Sequence, residues 1–204
     1  VIGADGKSYR NRLCCVAYIV PRTRLRFVHG CAIAPLGIFA AVTAFSADES
    51  RAGASRSRLA AEVGLRSERG PRDDNEDYLG VFGINDASSV IIAAVADGVG
   101  GARGGRVAAE LTVRGFVDGC ADANKPGSAK EAGLRSLLAI NRWVHALGQA
   151  DAALEGMATT FTGLICAGRQ AHVFHVGDSR LYRLRGGRLE QLTTDHTIGP
   201  GQHS

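Results

Sequence analysis

Two periods alternate along the chain, and the change from one to the other divides it. Val63–Leu65 and Tyr78–Phe82 read as short strands on either side of an acidic turn. Val90–Ala96 (VIIAAVA) is a continuous apolar run rich in β-branched residues, the pattern of a strand covered on both faces. It stops at Asp97, where the glycine-rich stretch DGVGGARGG begins. Ala109, Val113, Phe116 and Cys120 then recur at helical spacing, and Leu137, Ile140, Val144 and Leu147 predict a second helix that stops at Gly148. Trp143 lies on the same helical pattern and is assigned to the core. Beyond Thr159 the period returns to two: TTFTGLICA, then QAHVFHV, then LYRLR and RLEQL joined by Gly186-Gly187, a hairpin signal. Strands, two helices and strands again predict a layered α+β domain rather than a doubly wound sheet.

The first 60 residues do not share this regularity. Gly30–Ser46 carries no charge and follows RTRLR at 22–26, a combination resembling the basic and apolar regions of a signal peptide. The basic part lies far inside the chain, however, and the run is shorter than the ~20 residues that span a bilayer. With the Arg/Ser-rich SADESRAGASRSR behind it, the segment 1–60 is expected to be a leader or linker, with the domain occupying 61–204. Membrane association is disfavoured.

At 45% hydrophobic and 22% charged residues, the 204-residue chain has the composition of a globular protein with a sizeable core. Its net charge of +4 is unevenly placed. Nine of the 24 Lys/Arg and three of the 20 Asp/Glu lie in residues 1–60, which leaves 15 basic against 17 acidic residues for the remainder. Nucleic-acid binding by the main domain is therefore not expected. The five cysteines, Cys14, Cys15, Cys31, Cys120 and Cys166, form no CxxC pair and no zinc spacing. They read as reduced thiols, which favours a cytoplasmic location.

The candidate chemistry is acidic. RDDNEDYLG at 72–80 packs Asp73, Asp74, Glu76 and Asp77 into five positions, a crowding that like-charge repulsion tolerates only with full solvation or a cation. Asp97 ends a buried strand and enters a loop with glycines at 98, 100, 101, 104 and 105, which lacks the Gly-Lys-Ser/Thr ending of a nucleotide cradle. Mg²⁺ and Mn²⁺ prefer oxygen ligands, and Glu76, Asp77, Asp97 and Asp178 supply them. Taken singly, each has a plainer reading: a solvated turn for 73–77, and an Asp-Gly turn for Asp97. His172 and His175 read as packed or edge histidines, His196 as a local turn bond, and Ser179 has no His/Asp partner pattern for a nucleophile.

In order, the chain contains GPRDDNED at 70–77, VADGVGG at 95–101, MATT at 157–160, VGDSRLYRL at 176–184 and LTTDH at 192–196. This series resembles the type 2C metal-dependent protein serine/threonine phosphatases, the PPM family, most closely their bacterial branch, from about Glu62 to His196. The resemblance implies a four-layer α-β-β-α sandwich with a two-metal centre at one edge. Asp97 would bridge two Mg²⁺ or Mn²⁺ ions and the Gly98 carbonyl would ligate one. Glu76 and Asp77 would hold metal-bound waters, Asp178 would serve a third, weaker metal position, and Arg72 would bind the phosphate. Thr159 and Thr160 match a family Thr-Thr that starts a core strand, a structural role. The implied reaction is direct hydrolysis of phosphoserine or phosphothreonine by metal-activated water. Val99 stands where animal members carry a histidine, so a metal-bound water would supply the leaving-group proton. The implied partners are phosphorylated proteins and, by analogy, a cognate serine/threonine kinase.

The family pattern also requires two later aspartates, in an Asp-Gly and an Asp-Asn pair. After Asp178 the chain offers only Asp195 and closes on IGPGQHS, so the resemblance is C-terminally incomplete. Two readings follow: a metal-dependent protein phosphatase active in bacterial phospho-signalling, or a catalytically inactive phosphatase-like fragment or binding module. A third, a membrane-anchored regulator, depends on Gly30–Ser46.

Overall fold

The computed structural model describes residues 16–19, 38–47, 58–69, 73–83, 90–99, 101–121, 128–167, 170–185 and 188–196. Its strands are β1 (Val16–Ile19), β2 (Ile38–Ala47), β3 (Arg58–Ser67), β4 (Asp77–Phe82) and β5 (Val90–Val99), then β6 (Ala158–Thr159), β7 (Phe161–Ala167), β8 (Gln170–Val176), β9 (Arg180–Arg185) and β10 (Arg188–Gln191). Between β5 and β6 stand α1 (Gly101–Cys120), α2 (Ser128–Ala150) and a 3₁₀ turn at Ala152–Leu154.

The strands form two sheets. The first runs β10-β9-β1-β2-β3, and the second runs β4-β5-β7-β8 with β6 beside the end of β5. All pairs in the second sheet are antiparallel. Strand β5 is buried over Val90–Gly98 because it is covered on both faces, as its unbroken apolar run predicts. Alternation then decides which residue goes where. Val90, Ile92, Ala94 and Ala96 point to the helices, where they join Ala109, Val113, Phe116, Ile140, Val144 and Phe161 in the larger core. Ile91 and Ala93 point the other way and meet Leu164, Cys166 and Leu181, with Val63 and Val81, between the sheets.

Both helices show the predicted apolar face. Phe116 on α1 is fully buried and packs edge-on to Phe161 and Phe174, at 4.8 and 5.4 Å between ring centroids. Trp143 departs from expectation: it is 52% exposed, while its neighbour Val144 is fully buried. One helical step of about 100° separates them, and the buried arc is already filled by Ile140 and Val144. Gly148 does not stop α2 either. The helix continues to Ala150, and Gly148 lies where Leu154 O would come within 3.2 Å of a Cβ. Asp151 ends it, accepting the Ala153 N–H at 2.9 Å to cap the 3₁₀ turn.

The layered α+β architecture is the expected one, and one expected boundary is corrected. The described residues make three layers, helices on sheet on sheet, with α1 and α2 both on the second sheet; the outer helical layer of the four-layer sandwich is not among them. Strands β1 and β2 come from the segment expected to be leader or linker. Strand β1 lies parallel to both β9 and β2, and β2 pairs antiparallel with β3 from Ile38↔Ser67 to Ala47↔Arg58. The expected boundary near residue 60 therefore falls inside β3. The aromatic and β-branched content of IFAAVTAF suits a pleated strand. Among the described residues no helix is long and apolar enough to cross a membrane.

Candidate active site

Asp77 and Asp97 stand directly opposite each other across β4 and β5. Alternation gives both the parity of Ile91 and Ala93, so they occupy the end of the face between the sheets, where the apolar filling gives way to carboxylates. Asp97 is 3% exposed. A carboxylate so buried needs fixed partners, and the backbone around it is held on both sides. Its N–H donates to Thr160 Oγ1 at 3.0 Å, and its carbonyl accepts from Thr160 N at 2.9 Å and Thr159 Oγ1 at 3.1 Å. The Thr-Thr pair thus has the structural role expected of it, and that role is to lock the Asp97 backbone.

The acidic turn is fastened to the same place. Gly98 N donates to Glu76 O at 3.2 Å, Asn75 Oδ1 accepts from Asp77 N at 3.0 Å, Asn75 Nδ2 donates to Ser67 Oγ at 2.8 Å, and Arg106 Nη1 donates to Asn75 O at 3.4 Å. Glycines make this approach possible. A Cβ on Gly98 would lie 2.1 Å from Gly105 O, and one on Gly105 would lie 2.8 Å from Glu76 Oε2. The start of α1 therefore presses on the end of β5 that carries Asp97, and Glu76 fills the space that the missing Cβ leaves. Gly101, Gly104 and Gly105, expected in a loop, lie in the first turns of α1, and Arg106 carried no signal in the pattern.

Asp178 lies on a separate turn. Gly177 before it has φ +100°, and a Cβ there would meet the Thr160 side chain at 2.8 Å. Ser179 after it is buried, with its Oγ 2.5 Å from Thr160 Oγ1 and its carbonyl accepting from Thr162 Oγ1 at 2.7 Å. Ser179 is thus a structural residue. His196 corrects the expected local turn bond: its N–H donates to Gly177 O at 2.8 Å, and its Nδ1 accepts from Gly177 N at 3.3 Å, 19 residues away in sequence. Arg180 holds Asp195 with two prongs, Nε to Oδ1 at 2.9 Å and Nη2 to Oδ2 at 2.5 Å. That bond keeps the Asp195 carboxyl below its ordinary range.

Arg72, the candidate phosphate-binding residue, lies outside the described residues, as do Cys14, Cys15 and Cys31. Cys120 and Cys166 are buried thiols, and burial pushes Cys166 up to about 11. Glu76, Asp77, Asp97 and the Gly98 carbonyl offer oxygen donors of the kind hard divalent cations take, and Glu76 Oε2 lies against Gly105. Among the described residues no three His, Cys, Asp or Glu side chains converge closely enough to hold a metal ion by themselves. The paired Asp77 and Asp97 would thus fill only part of a metal shell, with water completing it.

The chain is similar to known phosphatases. The serine/threonine phosphatase stp of Listeria welshimeri is 36% identical over 138 residues, 66% of this chain and 54% of that protein. The protein phosphatase PhpP of Streptococcus pneumoniae is 35% identical over 140 residues, 67% of this chain and 56% of that protein. The chain thus spans about half the length of these curated relatives. Among solved structures, the Mycobacterium tuberculosis serine/threonine phosphatase PstP/Ppp superposes with a TM-score of 0.56 at 35% identity, covering 64% of this chain and 52% of that one. The catalytic domain of PstP in complex with two manganese ions gives 0.56 at 37%, covering 65% and 55%. Residues 66–202 match the family described as Protein phosphatase 2C, and the chain belongs to that family.

Proposed function

We propose that this chain carries part of the metal centre of a Mg²⁺- or Mn²⁺-dependent phosphatase acting on phosphoserine and phosphothreonine in proteins. The observation that carries the reading is the juxtaposition of Asp77 and Asp97 across β4 and β5, with Glu76 pressed into the glycine cradle beside them. The manganese-bound relative and the phosphatase names of the curated relatives support it.

In this reading Asp97 and the Gly98 carbonyl would hold the ions, and Glu76 and Asp77 would hold water bound to them. When bound, such ions lower the pKa of water and neutralise charge on the phosphoryl oxygens. The chain's own residues set the stage. Burial of Asp97 in a low-dielectric edge strengthens its hold on a cation. Thr159 and Thr160 keep its backbone from moving, so the carboxylate does not have to be reorganised during the reaction. Arg72 supplies the guanidinium fork that suits a phosphate.

The test is Mn²⁺-dependent hydrolysis of a phosphothreonine peptide by the purified 204-residue chain, with Asp97→Asn beside it. Turnover that requires Mn²⁺ and disappears in the variant is expected. A folded chain without turnover overturns the catalytic reading and leaves a phosphatase-like binding module.

A further inference from the structure

Glu76 and Asp77 owe their placement to the one uncharged residue of the turn RDDNED. Asn75 reaches three separate elements. Its Oδ1 accepts the Asp77 N–H at the start of β4 at 3.0 Å, its Nδ2 donates to Ser67 Oγ at the end of β3 at 2.8 Å, and its carbonyl accepts from Arg106 Nη1 on α1 at 3.4 Å. The main chain on either side is held as well, Asp73 O by Arg69 Nη1 at 3.0 Å and Glu76 O by Gly98 N at 3.2 Å. None of these bonds uses a carboxylate oxygen.

The side-chain bond to Asp77 spans two residues and closes an Asx turn around Glu76. Asp77, whose N–H closes it, is the residue that stands opposite Asp97 across β4 and β5. One amide thus sets two carboxylates against the third. The position suits asparagine for a chemical reason: a planar amide presents an acceptor and a donor together without charge. Alanine offers neither, and glutamine carries the same amide one methylene too far out. Aspartate keeps the acceptor but makes residues 73–77 five carboxylates in a row, adding to the repulsion that four already create.

We propose that Asn75 is a positioning residue for the cation site: its amide arranges Glu76 and Asp77 beside Asp97 before a divalent ion arrives, so that binding does not have to order the turn. A turn ordered only by its ligand binds it more weakly, because the lost freedom is subtracted from the affinity. The inference rests on the reading that these carboxylates serve an ion or its bound water, and not on turnover.

The experiment measures the Mn²⁺ affinity of the full 204-residue chain and its variants from the paramagnetic resonance signal of the free ion, with exchange of the Asp77 amide followed by NMR. Asn75→Ala and Asn75→Gln should each weaken binding by about 10- to 100-fold, the range for groups that orient metal-binding side chains, and speed exchange at Asp77. Asn75→Asp should bind at least as tightly as the parent and keep Asp77 protected, because its carboxylate accepts the same N–H and the Ser67 hydroxyl can turn to donate. Ser67→Ala leaves Oδ1 in place and removes only the anchor of the amide, so it should fall between the parent and Asn75→Ala.

A residue that merely stabilised the fold would lower the urea midpoint and the affinity in parallel across the series, Asn75→Asp included. Parent-like affinity in Asn75→Ala or Asn75→Gln overturns the proposal, as does an Asn75→Asp chain as weak as Asn75→Ala. Should Asn75→Ala fail to fold, the contrast between Asn75→Gln and Asn75→Asp decides the question alone. Mn²⁺ binding in the expected order without phosphothreonine hydrolysis refutes only the phosphatase reading. Hydrolysis with unchanged affinity in Asn75→Ala refutes only the positioning role, and a parent that binds no Mn²⁺ refutes both.

Discussion

Asp97, near the end of β5, and Asp178, in a turn, are braced by the same residue, Thr160, yet the two segments are secured by different physics. Around Asp97 the restraint is steric and backbone-borne: Gly98 and Gly105 are packed where no Cβ fits, and the threonines bond main-chain atoms that do not titrate. Around Asp178 the restraint is side-chain chemistry: hydroxyls, two imidazoles and an Arg–Asp pair. The first segment should be indifferent to pH and intolerant of added atoms. The second should tolerate small changes in shape but respond to protons.

The sharpest way to break the first segment is Gly105→Ala. A Cβ 2.8 Å from Glu76 Oε2 and 2.8 Å from Val99 N must displace the carboxylate or the start of α1. Misplacing reacting groups by ~1 Å costs about 10²-fold in rate, so Mn²⁺-dependent turnover should fall by at least that, while urea denaturation shows a smaller change. The next largest effect is expected from Thr160→Val, which keeps the shape but strands the Asp97 N–H and the Ser179 hydroxyl together. An unmet buried donor or acceptor costs about 1–3 kcal/mol, measurable as a shift in the denaturation midpoint at constant slope.

Asp195→Asn tests the second segment alone. Because Arg180 holds the folded carboxyl below its ordinary value, the pair stabilises the chain above that value. The contribution is lost as pH falls from about 3.8 toward the lowered folded value. The variant should therefore be less stable than the parent near neutrality, and the gap should close on acidification, as seen in acid titrations followed by circular dichroism. The smallest effect belongs to neither segment. Trp143→Ser removes an exposed ring on α2 and should change stability by no more than about 0.5 kcal/mol, setting the baseline for the other variants.

Much of the framework was legible in the chain. The Val90–Ala96 run, the Ala109–Cys120 spacing and the Leu137–Leu147 spacing each appear in the expected element, because periods of two and 3.6 follow directly from backbone geometry. Tertiary packing altered what local signals left open. Gly148 was overridden by the turn folding back from Leu154, and Trp143 was displaced by competition for the buried arc of α2. The apolar residues at 38–47 revealed their hydrophobicity but not their partners, and β2 sits between β3, the next strand, and β1, which pairs in turn with the distant β9.

The site divides in the same way. Sequence by itself determined which side chains carry charge and, through alternation, that Asp77, Asp97 and the apolar residues of β5 share fixed faces. Only the tertiary structure decided that Asp97 meets Asp77 across a strand pair, that Gly105 presses on Glu76, and that His196 reaches back to Gly177 beside His175. Periodicity is a property of neighbours along the backbone. Register, close approach and hydrogen-bond direction are properties of segments brought together from afar, and they exist only once the core between them has formed.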